Sequence, residues 1–325
     1  MKLRRHPLVN LAAAAAVILL GLLGQNAQTQ SARTIKIVVP LAPGGGADIL
    51  TRLLADHIRR TQSASMIVEN RVGAGSVIGS DAVSRASPDG NTLLINTPNL
   101  VIAAHLRKLN YNPLTSFEPI CKLVNSPTVI AVNTASPYRS LADLLDAARA
   151  ERGKLTLASV GPATTLHIAA EKLKRVTQAD MTYIPFTGSG PTVNAILGEH
   201  VTAVFAEYPA VAEQLKAGKL RPLATGSQMR IDSLPEVPTV AELGFPGFDV
   251  EVWWGVFAPA LTPKETTSQL ADLFTKAVQA PEIKEKLITL GFYPAIMCGA
   301  DFATYLRHQY EDYGQIIRDA NIKSE

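Results

Sequence analysis

The sequence predicts an α/β protein of two lobes with a cleft between them, on three observations. Short apolar β-type runs alternate with amphipathic helical ones, and the links between them are short and rich in glycine and proline. The same grammar fills the first part of the chain, is restated in the middle, and ends in a helical tail reached through one more apolar strand, which implies more than one crossing between lobes. With 325 residues, 47% hydrophobic and 18% charged, the chain has apolar material for one large or two ordinary domains.

The elements follow in order. The apolar run 35–40, interrupted only by Lys36, reads as a strand that Pro43-Gly44-Gly45-Gly46 breaks. Ile49, Leu50, Leu53, Leu54 and Ile58 then recur at helical spacing and predict a helix over 47–60. A strand at 66–69, a turn holding Gly73, Gly75 and Gly79, a helix to Arg85 and a strand at 92–96 complete this part. In the middle, strands are predicted at 129–133, 155–159, 183–185, 201–205 and 220–224, and helices at 140–152, 167–175 and 193–197; Ser140 and Asp143 form a capping-box pair. The Pro- and Gly-rich segment 233–248 reads as a connection, 251–258 as a strand, and 266–279, 281–290 and 300–321 as helices. Strands alternating with helices in this way predict a mainly parallel sheet. The lobes expected are 33–130 plus 251–325, and 131–250.

Residues 1–32 read differently. Lys2, Arg4 and Arg5 precede an apolar stretch at 11–24 and then small and polar residues, the three regions of a secretory signal; the run is short for a membrane span, and cleavage after Ala27 or Ala32 fits a small residue at the cut. An exported, periplasmic protein is expected. The signal also carries the whole formal charge of +3, so cleavage after Ala32 leaves a formally neutral chain. No Lys/Arg run exceeds two and aromatic residues make up 6%, which argues against a nucleic-acid partner. Export permits a disulfide between Cys121 and Cys298, and two buried thiols remain the alternative.

Catalytic motifs are missing from the sequence. It has no Gly-x-Ser-x-Gly elbow, no phosphate loop and no His-Glu-x-x-His; Gly73-Ala-Gly-Ser-Val-Ile-Gly79 departs from a dinucleotide fingerprint at its third glycine. His167 and Glu171 share a helical face but lack a third metal ligand, so no catalytic residue, metal or cofactor is expected. Three strand-to-helix turns are instead suited to anions: Pro43-Gly44-Gly45-Gly46-Ala47-Asp48, Val160-Gly161-Pro162-Ala163-Thr164-Thr165-Leu166-His167 and Phe186-Thr187-Gly188-Ser189-Gly190-Pro191. Each presents helix-start amides, and the last two add hydroxyls; a carboxylate can be gripped there without lysine or arginine.

Five stretches together carry a family resemblance: Ile37-Val-Val-Pro-Leu-Ala-Pro-Gly-Gly-Gly-Ala-Asp48, Val68-Glu-Asn-Arg-Val-Gly-Ala-Gly75, Ser87-Pro-Asp-Gly-Asn-Thr-Leu-Leu94, Leu234-Pro-Glu-Val-Pro-Thr-Val-Ala-Glu-Leu-Gly244 and Trp254-Gly-Val-Phe-Ala-Pro-Ala260. In this order they resemble the Bug family, the periplasmic solute receptors of tripartite tricarboxylate transporters. The resemblance implies a type II periplasmic-binding-protein fold, a monomer that closes around a small carboxylate (a di- or tricarboxylate, an acidic amino acid or an aromatic acid), and integral-membrane transporter subunits as partners. Carried over by position, the first ligand loop falls on Leu41, Ala42, Pro43, Gly44, Gly45 and Asp48, and the turn after the third strand on 96–99 with Thr97. The second-lobe grip falls on Ser159, Gly161, Ala163, Thr164 and Thr165 and on Thr187, Gly188 and Ser189.

Three positions depart from the family pattern: Leu41 stands where Phe is frequent, Asn91 where an aromatic is, and Phe205-Ala206-Glu207 replaces Phe-Asp-Ser/Asn, shifting an acidic group by one residue or out of the site. Glu207 is carried as a site residue, and Asp48 either accepts from a ligand donor or caps its loop. The competing classes are a sensory receptor docking a signalling protein and an exported enzyme using Asp48, His167 or Glu207.

Overall fold

Strand β1 (Arg33–Val39) shows the logic of the fold: Ile35, Ile37 and Val39 enter one core while Val38 enters the core on the other face, the alternation of a strand covered on both sides. In this computed structural model the described residues are 33–62, 64–319 and 322, and the signal segment expected at 1–32 lies outside them. Residues 34–325 form one compact unit. Helix α1 (Gly46–Thr61) lays Leu50, Leu54 and Ile58 on the first of these cores. Beside β1 run β2 (Ala64–Asn70) and, in parallel, β3 (Thr92–Asn96); between β2 and β3 lie a 3₁₀ turn (Ala74–Ser76) and α2 (Val77–Ser84).

The sheet is mixed, not mainly parallel. Strand β4 (Phe117–Asn133) runs 17 residues. It pairs antiparallel with β9 (Glu251–Pro259) over 117–127, then antiparallel with β7 (Ala203–Glu207) and β8 (Leu220–Thr225) over 128–133. Strand β9 is also antiparallel to β3. On the far side, β5 (Thr156–Val160) is parallel to β7 and to β6 (Thr182–Phe186), giving the order β2-β1-β3-β9-β4-β7-β5-β6. The chain therefore crosses the middle on two long antiparallel strands. Strands were expected at 129–133 and 251–258, but antiparallel strands need no helical crossover, so the βα reading did not give their pairing with each other.

Helix α3 (Asn99–Leu106) follows β3, and α4 (Leu141–Ala150) starts with the expected box, Ser140 Oγ accepting from the Asp143 amide at 3.1 Å and Asp143 accepting from the Ser140 amide at 3.0 Å. Helices α5 (Thr165–Thr177) and α6 (Ser189–Leu197) begin earlier than the sequence suggested, so Thr165 and Ser189 are first helical residues. Helix α7 (Tyr208–Lys216) follows β7 directly. The tail is α8 (Lys264–Gln279), α9 (Pro281–Thr289), strand β10 (Tyr293–Cys298) and α10 (Gly299–Asp319). Elements α3, α7, β10 and the first half of β4 were not anticipated from the sequence. Strand β10 pairs antiparallel with β4, opposite Cys121 in register with Cys298, and these two cysteines form a disulfide.

Candidate functional site: a loop-lined cavity at helix starts

The turns after β1, β3 and β5 meet at the end of β7. Leu41, Thr97, Asn99, Thr164, Thr165 and Glu207 wall a cavity of about 10 Å³, completed by Val160, Leu166 and Val252. That is room for about one water. A wider pocket of about 210 Å³ shares Leu41 and Val160 with it and is lined further by Gly161, Thr187 and the 73–76 turn.

The second-half wall is the start of α5. Thr164 is its N-cap: the hydroxyl oxygen accepts from the His167 amide at 3.2 Å, and the hydroxyl donates to the Gly161 carbonyl at 2.8 Å. Asn99 reaches across from the start of α3. Its Oδ1 accepts from the Thr165 amide at 2.8 Å and from the Thr165 hydroxyl at 3.2 Å. Its own amide donates to Thr97 Oγ1 at 3.2 Å, and the Thr97 amide donates to Asn96 Oδ1 at 2.8 Å, so the turn at 96–99 is held by its side chains. Asn99 lies in the turn 96–99 expected at the site, but its bridge to Thr165 was not foreseen, because nothing in residue spacing signals a side chain bridging 66 positions.

Helices α1 and α6 start against each other, and neither start has a side-chain cap. Gly45 lies beside Ser189, and glycines let the two loops touch: a Cβ at Gly188 would sit 2.8 Å from the Ala42 Cβ, and one at Gly190 2.5 Å from the Pro43 carbonyl oxygen. Pro43 and Gly44 are exposed on the outer side of this contact. Asp48 is buried; its Oδ2 accepts from the Gly44 amide at 3.1 Å and its Oδ1 from Arg52 Nε at 2.9 Å. Burial works to raise its pKa, but the hydrogen bonds from Arg52, Gly44 and Asn70 outweigh it and hold the carboxyl below its ordinary value. The geometry is that of a loop cap.

Ser159 lies behind the wall, its hydroxyl donating to the Phe205 carbonyl and tying β5 to β7. Ala163 is fully buried at φ 63°, a left-handed conformation at a non-glycine residue in the turn that aims α5. Glu207, at the end of β7 and only 4% exposed, receives a short hydrogen bond from the Ser189 hydroxyl. Burial pushes its carboxyl above the ordinary value, and the bond from Ser189 only partly offsets this. Glu207 is therefore an acidic group on the cavity wall. Among the described residues, no three His, Cys, Asp or Glu side chains gather as a metal site needs.

An α/β frame in which helix starts and hydroxyls surround a small cavity defines a binding protein for a small anion. The family model described as "Tripartite tricarboxylate transporter family receptor" matches residues 50–322, and the chain belongs to that family. Curated relatives include a protein encoded in the tcbD-tcbE intergenic region of a Pseudomonas species, 34% identical over 90% of this chain and 88% of the relative. Another is BugT of Bordetella pertussis, 31% identical over 92% of each chain. The periplasmic binding protein BugD superposes with a TM-score of 0.86 at 29% identity, covering 90% of this chain and 99% of that one. A protein of R. palustris solved with adipate gives a TM-score of 0.86 at 28% identity over 92% and 99% of the two chains. MatC of Rhodopseudomonas palustris, solved with bound malate, gives 0.81 at 27% identity over 88% and 99%.

Proposed function

We propose that this protein is a periplasmic solute receptor that captures a small carboxylate between its lobes and delivers it to the integral-membrane subunits of a tripartite transporter, without chemical turnover. The lobes are 33–130 plus 251–325, and 131–250, joined where β4 and β9 cross. The observation that carries the reading is the convergence of the α5 start, the 96–99 turn, Leu41 of the first loop and Glu207 on one cavity. A carboxylate at that point would face the Leu166 amide and the Thr164–Thr165 start of α5, where the helix dipole favours negative charge. Relatives solved with adipate and malate support a carboxylate ligand, with di- and tricarboxylates, acidic amino acids and aromatic acids as the candidate classes.

The loops almost fill the inner cavity. Entry of ligand then requires the lobes to part, and a ligand touching both lobes stabilises the closed form by its differential affinity for it. Native mass spectrometry of protein purified from its exporting host tests this directly. The expected outcome is a mass addition that matches an organic acid and dissociates on mild activation. Turnover of a bound acid that disappears on mutating Glu207 would replace the receptor reading by an enzymatic one.

A further inference from the structure

Among the described residues, the Arg107 Nε has no hydrogen-bond partner. Arg107 follows α3 as the C-terminal cap, its backbone amide donating to the Ala103 carbonyl. A basic residue at a helix C-terminus is favoured by the dipole. That does not explain the side chain, whose Nε is buried with no hydrogen-bond acceptor, and the guanidinium makes no ion pair among the described residues. It lines the pocket of about 210 Å³ that adjoins the inner cavity through Leu41 and Val160. The remaining wall is largely apolar, from Pro40, Val72, Pro185 and Phe186. An N–H donor withdrawn from water in such a wall is costly unless an acceptor meets it.

The pocket and the inner cavity thus lie on either side of Leu41 and Val160. On the inner side of that wall Thr164, Thr165 and Leu166 at the start of α5 line the cavity, and on the outer side a planar guanidinium lines a mostly apolar pocket. Resting on the carboxylate-receptor reading above, we propose that Arg107 binds the distal acid group of the ligand and selects α,ω-dicarboxylates with an apolar spacer over monocarboxylates of the same length. A guanidinium fork matches a carboxylate in two parallel hydrogen bonds, which fixes orientation as well as charge.

The 73–76 turn, which lines the same pocket, is suited to a fixed shape. Ala74 and Ser76 both take left-handed φ values, 49° and 84°, and the Ser76 carbonyl is held by the Ser80 hydroxyl at 2.9 Å. Strained non-glycine residues of this kind persist only where surrounding structure holds them. The spacer would lie against a rigid wall, so chain length is read as well as charge.

Calorimetric titration of the full mature protein with adipate and with hexanoate, its single-acid counterpart, separates the outcomes, with Arg107→Gln and Arg107→Lys as variants and melting temperature as the folding control. Adipate should bind the wild type at least about tenfold more tightly than hexanoate. R107Q should bring adipate to the level of hexanoate and leave hexanoate unchanged, while R107K, which keeps the charge but not the fork, should recover part of the difference. Equal weakening of both acids in R107Q, or unchanged adipate affinity, overturns the assignment. A wild type that binds other carboxylates but does not prefer adipate, or a longer or shorter diacid, over its matched monoacid overturns it while leaving the receptor reading intact. Binding of no carboxylate removes both.

Discussion

Asn99 Oδ1 accepts two hydrogen bonds from Thr165, one from its amide at 2.8 Å and one from its hydroxyl at 3.2 Å, and so clips the turn after β3 to the first residue of α5. Both residues are buried. In Asn99→Ala two donors lose their acceptor out of reach of water, a loss of about 1–3 kcal/mol. Urea unfolding of N99A against wild type should show it as a lower midpoint with an unchanged slope. An unaltered midpoint would mean the contact does not hold in solution.

Gly190 sets how closely the loops approach. A methyl group there would stand 2.5 Å from the Pro43 carbonyl oxygen, closer than real contacts allow. Gly190→Ala should destabilise the arrangement seen here, because a backbone carbonyl does not give way as a flexible side chain does, and should weaken ligand by roughly tenfold or more by obstructing closure. Titration and melting of the same preparation separate the two effects.

The Ser189–Glu207 pair gives a pH signature. The folded state holds the Glu207 proton above the carboxyl's ordinary value of 4.5. Because the folded state then binds more protons than the unfolded one, this group's contribution falls as pH rises from that value through the raised one. Glu207→Gln removes the titration while keeping an acceptor for Ser189. The melting temperature of E207Q relative to wild type should climb from acid to neutral pH, and a difference independent of pH would contradict the assignment.

The Cys121–Cys298 disulfide closes a loop with a sequence separation of 177 residues and staples the tail strand β10 to β4. Reduction, or the double Ser variant, should lower stability by about 2–5 kcal/mol, read as a fall in melting temperature under reducing agent.

What the sequence made legible follows from local signals. The β1–loop–α1 unit, the capping box of α4 and the glycine turns at 43–46 and 187–190 announce themselves through alternation, helical periodicity and turn residues, and the structure has them there. The first half of β4 does not: Pro119 and Pro127 punctuate it, and its apolar residues enter cores on both faces, so no clean alternation remains. Helix α3 is apolar on every side, which periodicity cannot read. The site divides in the same way. Thr164, Thr165 and the glycine loops were visible because turn and cap chemistry is local. The turn holding Asn99 was visible too, but its bridge to Thr165 was not, since that depends on contact across the fold.

The central claim, that a small carboxylate is captured between the lobes, is tested most directly by a thermal-shift screen of the mature protein against mono-, di- and tricarboxylates, amino acids and aromatic acids. Trp253 and Trp254, both buried on the crossing strand β9, supply an independent emission signal. At least one acid at a hundredfold excess over its dissociation constant should stabilise the protein by about 2.7 kcal/mol, a rise of about 5 °C or more, with a matching change in tryptophan emission. A panel in which no acid moves either the melting temperature or the emission would contradict the account.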